Sequence, residues 1–135
     1  VIAILAAEHG GARHTLIESD SRKAAFLREV ARNTGVVVDI LCTRIESPEN
    51  RAKVGEVNCV TARALAPLPR LIELAYPYFG PDSIGLFLKG RDVAAEIEEA
   101  ARCWSFAHEL KPSVTDKEGR VLVLQSLRRS NASQK

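Results

Sequence analysis

Short apolar runs alternate along the chain with longer segments of helical period. Thr15–Glu18 is a short apolar strand that ends in a carboxylate, Val36–Leu41 is rich in β-branched residues, and Val57–Ala62 and Ile84–Leu88 read as buried strands. Asp20 or Ser21 can cap a helix through about Thr34, where Gly35 stops it. Its apolar side is expected to be Ala25, Phe26, Val30 and Ala31, with Arg22, Lys23, Arg28 and Arg32 toward solvent. Pro48 to Glu56 reads as a polar connection with room for one helical turn. Pro67 and Pro69 precede a helix over about Arg70–Tyr78, and Gly80-Pro81-Asp82 signals a turn. Val93–Trp104 forms the next helix, with Glu96, Glu98 and Glu99 on its exposed side and Ala94, Ile97 and Ala101 toward the core. Phe106–Leu110 and Val121–Ser126 are strands joined by the polar Thr115–Gly119 segment, and Val1–Glu8 reads as the end of a helix.

Strand, crossover helix and strand in repetition predict an α/β, Rossmann-like fold: a mostly parallel sheet with an antiparallel C-terminal edge. Residues 1–127 are expected to form a partial domain and residues 128–135 a basic, polar tail. Parallel strands of a shared sheet present their connecting loops at one end, where ligand crevices form. Glu18, Arg44, Arg63 and Lys89 all fall at or just after expected strand ends. Their common address sets them apart from isolated surface charges.

Charge adds little to this picture. With 19 Lys and Arg against 17 Asp and Glu among 135 residues, the net charge of +2 names no partner. Arginines at 22, 28, 44, 63, 70 and 91, with Lys23 and Lys89, form a basic rim only if folding gathers them. Three cysteines argue against a disulfide framework, and Cys42 and Cys59 are expected as small buried hydrophobes. The three histidines have no metal-ligand spacing, and Tyr76, Tyr78 and Trp104 sit in apolar surroundings that favour core packing over base stacking. No apolar run is long enough to span a membrane and Val1–Ala7 lacks a secretory pattern, so a soluble protein of the reducing cytoplasm is expected.

A set of short motifs occurs in a fixed order: Leu16-Ile17-Glu18-Ser19 followed by Arg22-Lys23 and Phe26-Leu27, then Thr43-Arg44-Ile45-Glu46, Thr61-Ala62-Arg63-Ala64 and Leu88-Lys89-Gly90. Together they resemble the bacterial small-subunit ribosomal RNA guanine-N7 methyltransferases of the glucose-inhibited division protein B type. The resemblance implies a truncated class I S-adenosylmethionine-dependent methyltransferase that modifies guanine N7 in 16S ribosomal RNA or the small subunit. The family's glycine-rich first motif would lie upstream of Val1. Asn58 stands where the family commonly has Asp, and Arg22-Lys23 reverses the common order.

On this resemblance Glu18 is the carboxylate that accepts hydrogen bonds from both ribose hydroxyls. Arg44, Ile45 and Glu46 form the adenine-side turn, with Ile45 against the ring. Arg63 and Lys89 are the candidate catalytic residues, with Arg63 also a cofactor-binding residue and Lys89 suited to RNA phosphate or guanine orientation. From the residues alone, Glu18 also reads as a helix cap or surface ion pair, and Arg63 as a structural ion pair. Two other classes use the same features: a noncatalytic RNA-binding or ribosome-assembly domain, and a nucleotide-cofactor oxidoreductase.

Overall fold

The computed structural model describes residues 12–63 and 65–131. The expected helix over Val1–Glu8 lies outside the described residues. The chain divides into two compact units at Ala52 and Lys53, and each is described by itself.

In the first unit, strand β1 (Thr15–Ile17) leads into helix α1 (Ser21–Thr34). Asp20 starts the helix because its carboxylate accepts the Arg22 and Lys23 N–H groups, two of the donors a helix leaves unsatisfied at its start. Gly35 ends it in a left-handed conformation at φ 70°, where its N–H turns back toward Ala31 and Arg32 carbonyls. Only part of the expected apolar side turns inward. Phe26 is 67% exposed and Ala25 is exposed, whereas Ala24 is buried and Leu27, Val30 and Ala31 are half-buried. Positions 24, 27 and 31 repeat at i, i+3 and i+7 and share one face; 25 and 26 are rotated away from it.

Strand β2 (Asp39–Leu41) pairs in parallel with β1, Thr15 opposite Asp39 through Ile17 opposite Leu41. It is shorter than the Val36–Leu41 run, and Val37 is left exposed. The polar connection that follows does contain a helix, α2 (Pro48–Val54), which crosses the division between the units.

The second unit contains a four-stranded sheet in the order β3-β4-β6-β5, formed by Val57–Arg63, Phe79–Lys89, Arg120–Arg129 and Trp104–Pro112 respectively. β3 and β4 are parallel, whereas β6 is antiparallel to both β4 and β5, giving the expected antiparallel edge. Helix α3 (Leu68–Ala75) and helix α4 (Val93–Ala100) complete the unit, with a 3-10 turn at Tyr76–Tyr78. Leu68, Leu71, Ile72 and Ala75 from α3 join Phe87, Leu122 and Leu124 from the sheet, with Ala100 and Trp104, in one buried cluster. Tyr78 and Trp104 are buried as expected.

Several boundaries differ from the sequence reading. Gly80-Pro81-Asp82 is not a turn but the first part of β4, where the ladder slips: β3 advances from Val57 to Cys59 while β4 advances from Phe79 to Ile84. Ser83 closes that irregularity, its hydroxyl donating to Val57 O and accepting the Gly80 N–H. The helix over Val93–Trp104 stops at Ala100, leaving Trp104 to begin β5; Ala94 and Ala101 are exposed, and Val93 and Ala100 are buried instead. β6 continues to Arg129, two residues into the expected tail. Cys42 and Cys59 are both exposed, contrary to the expected burial. Among the described residues β3 pairs only with β4, so an apolar sequence run does not ensure cover on every side.

Candidate functional site

The first group of candidate residues is assembled by the parallel β1–β2 pair. Its ladder continues beyond the strands, with Glu18 N–H donating to Leu41 O at 3.0 Å and Thr43 N–H donating to Glu18 O at 3.1 Å. Glu18 and the Thr43–Glu46 turn therefore stand at adjacent C-terminal strand ends. The Glu18 Oε1 atom accepts the Asp20 N–H at 3.2 Å, which aims the carboxylate. Among the described residues Oε2 accepts no hydrogen bond, and the half-buried carboxylate retains acceptor capacity for a polar ligand.

The turn after β2 has its own support. Arg44 O accepts the Ser47 N–H at 3.1 Å and the Asn50 side-chain amide at 2.7 Å. Asn50 is only 2% exposed, so helix α2 supplies a buried clamp to the turn. Arg44 and Glu46 side chains are exposed and 3.9 Å apart, a loose pairing that adds little to the hydrogen bonds at Arg44 O. Ile45 is half-buried between them in sequence. Asn50 was missed by the sequence reading; its only local signal is a position in the first turn of a polar helix.

The second group occupies the paired ends of β3 and β4. Arg63 pairs in register with Leu88, putting Arg63 and Lys89 at neighbouring strand ends. They have different surroundings. Arg63 is exposed and its guanidinium has no ion pair or hydrogen bond among the described residues. The Lys89 side chain is 9% exposed, and its ammonium donates to Ala66 O at 2.8 Å and Glu96 Oε1 at 3.0 Å. The same Glu96 oxygen accepts Leu68 N–H at 2.7 Å. Glu96 is thus turned inward from α4, contrary to its expected place on the exposed acidic face.

Beside Lys89, exposed Arg91 pairs with Glu118 at 2.8 Å. Arg22, Lys23 and Arg28 are exposed on α1 as expected. Burial raises the Cys59 thiol above its ordinary pKa, although Cys59 is exposed as a residue. Among the described residues no group of three or more His, Cys, Asp or Glu side chains could hold a metal ion. No helix among them is long and apolar enough to cross a membrane.

Comparison with known proteins adds an independent finding. A family model described as rRNA small subunit methyltransferase G (GidB) matches residues 1–124. Ribosomal RNA small subunit methyltransferase G of Parvibaculum lavamentivorans is 49% identical over 127 residues, covering 94% of this chain and 55% of that protein. The protein of the same name from Rhodopseudomonas palustris strain BisB18 is 43% identical over 124 residues, covering 92% and 53%. The chain spans about half the length of the curated relatives it matches. Among solved structures, the ribosomal protein L11 methylase from Lactobacillus delbrueckii subsp. bulgaricus superposes with a TM-score of 0.68 at 17% identity, covering 96% of this chain and 64% of that one. The α/β fold is that of the class I S-adenosylmethionine methyltransferases.

Proposed function

This chain belongs to the rRNA small subunit methyltransferase G family, and from that premise we propose that the protein transfers a methyl group from S-adenosylmethionine to guanine N7 in 16S ribosomal RNA. The observation that supports the reading most directly is the strand-end carboxylate of Glu18, aimed by the Asp20 N–H on a residue whose backbone N–H and carbonyl are bonded to Leu41 and Thr43 beside the Thr43–Glu46 turn. A carboxylate with spare acceptor capacity suits two adjacent ribose hydroxyls, and charge-assisted hydrogen bonds of this type are strong. Ile45 and the backbone of Arg44–Glu46 give the adenine an apolar contact and a polar edge. Glu18 and the Arg44–Glu46 turn therefore fit the sugar and base portions of the cofactor.

When bound, the cofactor supplies an electrophilic methyl group on a sulfonium. Guanine N7 already carries a lone pair and no proton, so the chain does not have to provide a base. Its task is positioning: holding the nitrogen in line with the methyl. Arg63, exposed and without a protein partner among the described residues, is suited to RNA phosphate or the guanine edge. Lys89 stands at the neighbouring strand end and acts there through the segment it holds, by way of Ala66 O. The substrate is 16S RNA or the small subunit carrying it, in the cytoplasm.

The test is methyl transfer by the full protein to small-subunit RNA, with the product mapped by cleavage at N7-methylguanine. Glu18→Ala is expected to weaken cofactor binding about a hundredfold or more, the equivalent of losing two charge-assisted hydrogen bonds. Arg63→Ala is expected to lower methyl transfer and RNA affinity, and to weaken cofactor binding less than Glu18→Ala does. RNA binding without cofactor binding would instead favour a noncatalytic RNA-binding domain.

A further inference from the structure

Helix α3 begins in a buried position without a cap of its own. Pro67 offers no side-chain acceptor and Pro69 has no N–H, yet the N–H of fully buried Leu68 must find a partner. That partner comes from a different helix: Glu96 of α4 reaches across 28 positions of sequence to accept it at 2.7 Å. The same oxygen receives the Lys89 ammonium, which in turn holds Ala66 O. One carboxylate oxygen thereby ties the end of β4 to the start of α3. The segment it holds, Ala66–Leu68, begins three residues after Arg63.

We propose that Glu96 is a positioning residue for methyl transfer: through Leu68 N–H and Lys89 it fixes the Ala66–Leu68 segment near the strand end of Arg63, and so the approach of the substrate guanine. The inference rests on the methyltransferase reading above and adds to it a residue that touches neither substrate nor cofactor. Its electrostatics are favourable at both contacts. A carboxylate at a helix N-terminus complements the helix dipole, and the ammonium it also holds is withdrawn from water with its counter-charge and an additional carbonyl acceptor. Lys89, expected from sequence to face RNA, thus has a second task as the link between Glu96 and Ala66.

The experiment compares Glu96→Ala and Glu96→Gln in the full protein, measuring kcat, both KM values, hydrogen exchange at Leu68 and acylation of Lys89 by an amine reagent. Glu96→Ala is expected to lower kcat by about tenfold or more, leave the KM for S-adenosylmethionine within about twofold, speed exchange at Leu68 and expose Lys89 to acylation. The Gln side chain retains an oxygen acceptor for both donors, so it is expected to restore Leu68 protection and most of kcat. Wild-type kcat in a folded Ala variant overturns the proposal; so does a Gln variant that restores Leu68 protection but not kcat. If Glu96→Ala does not fold, Lys89→Met carries the test: Leu68 stays protected while kcat falls, and an unchanged kcat overturns the proposal. A wild-type protein that transfers no methyl group defeats the reaction and with it the positioning role. That failure is recognised separately, because Leu68 exchange still reports whether Glu96 holds the segment.

Discussion

At the scale of single residues, Asn50 shows how a small polar group can govern a loop. Its buried side-chain amide donates to Arg44 O, which also accepts the Ser47 N–H. Asn50→Ala removes one of these two donors, and a loss of about 1–2 kcal/mol is expected from the missing hydrogen bond and the small cavity. Asn50→Asp should be worse, since it places an acceptor-only carboxylate against a carbonyl oxygen. Urea unfolding orders the two variants; an aspartate as stable as wild type would show that the clamp is not needed. Cys59 gives a second residue-level prediction. Burial raises its thiol pKa, so at pH 8 its thiolate fraction is smaller than that of an ordinary cysteine. Iodoacetamide at pH 8 should therefore label exposed Cys42 and Cys103 ahead of Cys59, and Cys59 labelling should keep rising as pH increases. Peptide mapping by mass spectrometry reads the order, and equal rates at all three sites would refute the assignment.

At the scale of elements, glycines separate constraints of conformation from constraints of space. Gly35 has open space around a Cβ but sits at φ 70°, so Gly35→Ala is expected to cost about 1 kcal/mol through backbone strain alone. Gly85 has an ordinary backbone but a Cβ there would meet the Phe87 ring at 2.8 Å, inside the main core; Gly85→Ala should cost about 1–3 kcal/mol. Thermal melts of both variants test the ranking, with Gly85 the more damaging. The same distinction explains what was legible in the sequence. The ends of α1 were readable because Asp20 and Gly35 act on neighbouring backbone. The strand ends bearing Glu18, Arg63 and Lys89 were readable because apolar runs stop there. Gly80-Pro81-Asp82 misled because its slip is absorbed by pairing with β3, which the local residues do not encode. Glu96 misled for the same reason: beside Glu98 and Glu99 it reads as part of a solvated face, and its partners Leu68 and Lys89 lie far away in sequence. Phe26 is apolar in type but lies off the inward face, because the 24, 27, 31 spacing and not residue type sets that face.

At the scale of the whole molecule, the two units differ sharply in what holds them. Among the described residues, Ala24 is the only buried hydrophobic residue before the division at Ala52; the other buried hydrophobic residues, from Leu68 to Leu124, belong to the second unit. Among its described residues the first unit has one parallel pair of three-residue strands, and a two-stranded sheet of that size is marginal in water. The second has a four-stranded sheet covered by a helix whose Leu68, Leu71, Ile72 and Ala75 are all buried. Hydrogen bonds that open without exposing much apolar surface open often, so stability should be graded along this chain rather than uniform. Native-state hydrogen exchange on the 135-residue chain is expected to show the slowest amides in β4, β6 and α3, with β1, β2 and α1 exchanging at least about tenfold faster. Phe87→Ala should then accelerate the slow group by removing a fully buried ring from the core, at a cost of about 3–5 kcal/mol, while changing the fast group much less. A single rate class that shifts as a block in this variant would mean that both units open together, and the graded account would fail. The consequence for function is directional: Glu18 and the Thr43–Glu46 turn lie in the lightly buried unit, so cofactor that binds there should slow exchange in β1 and β2 more than in β4 and β6.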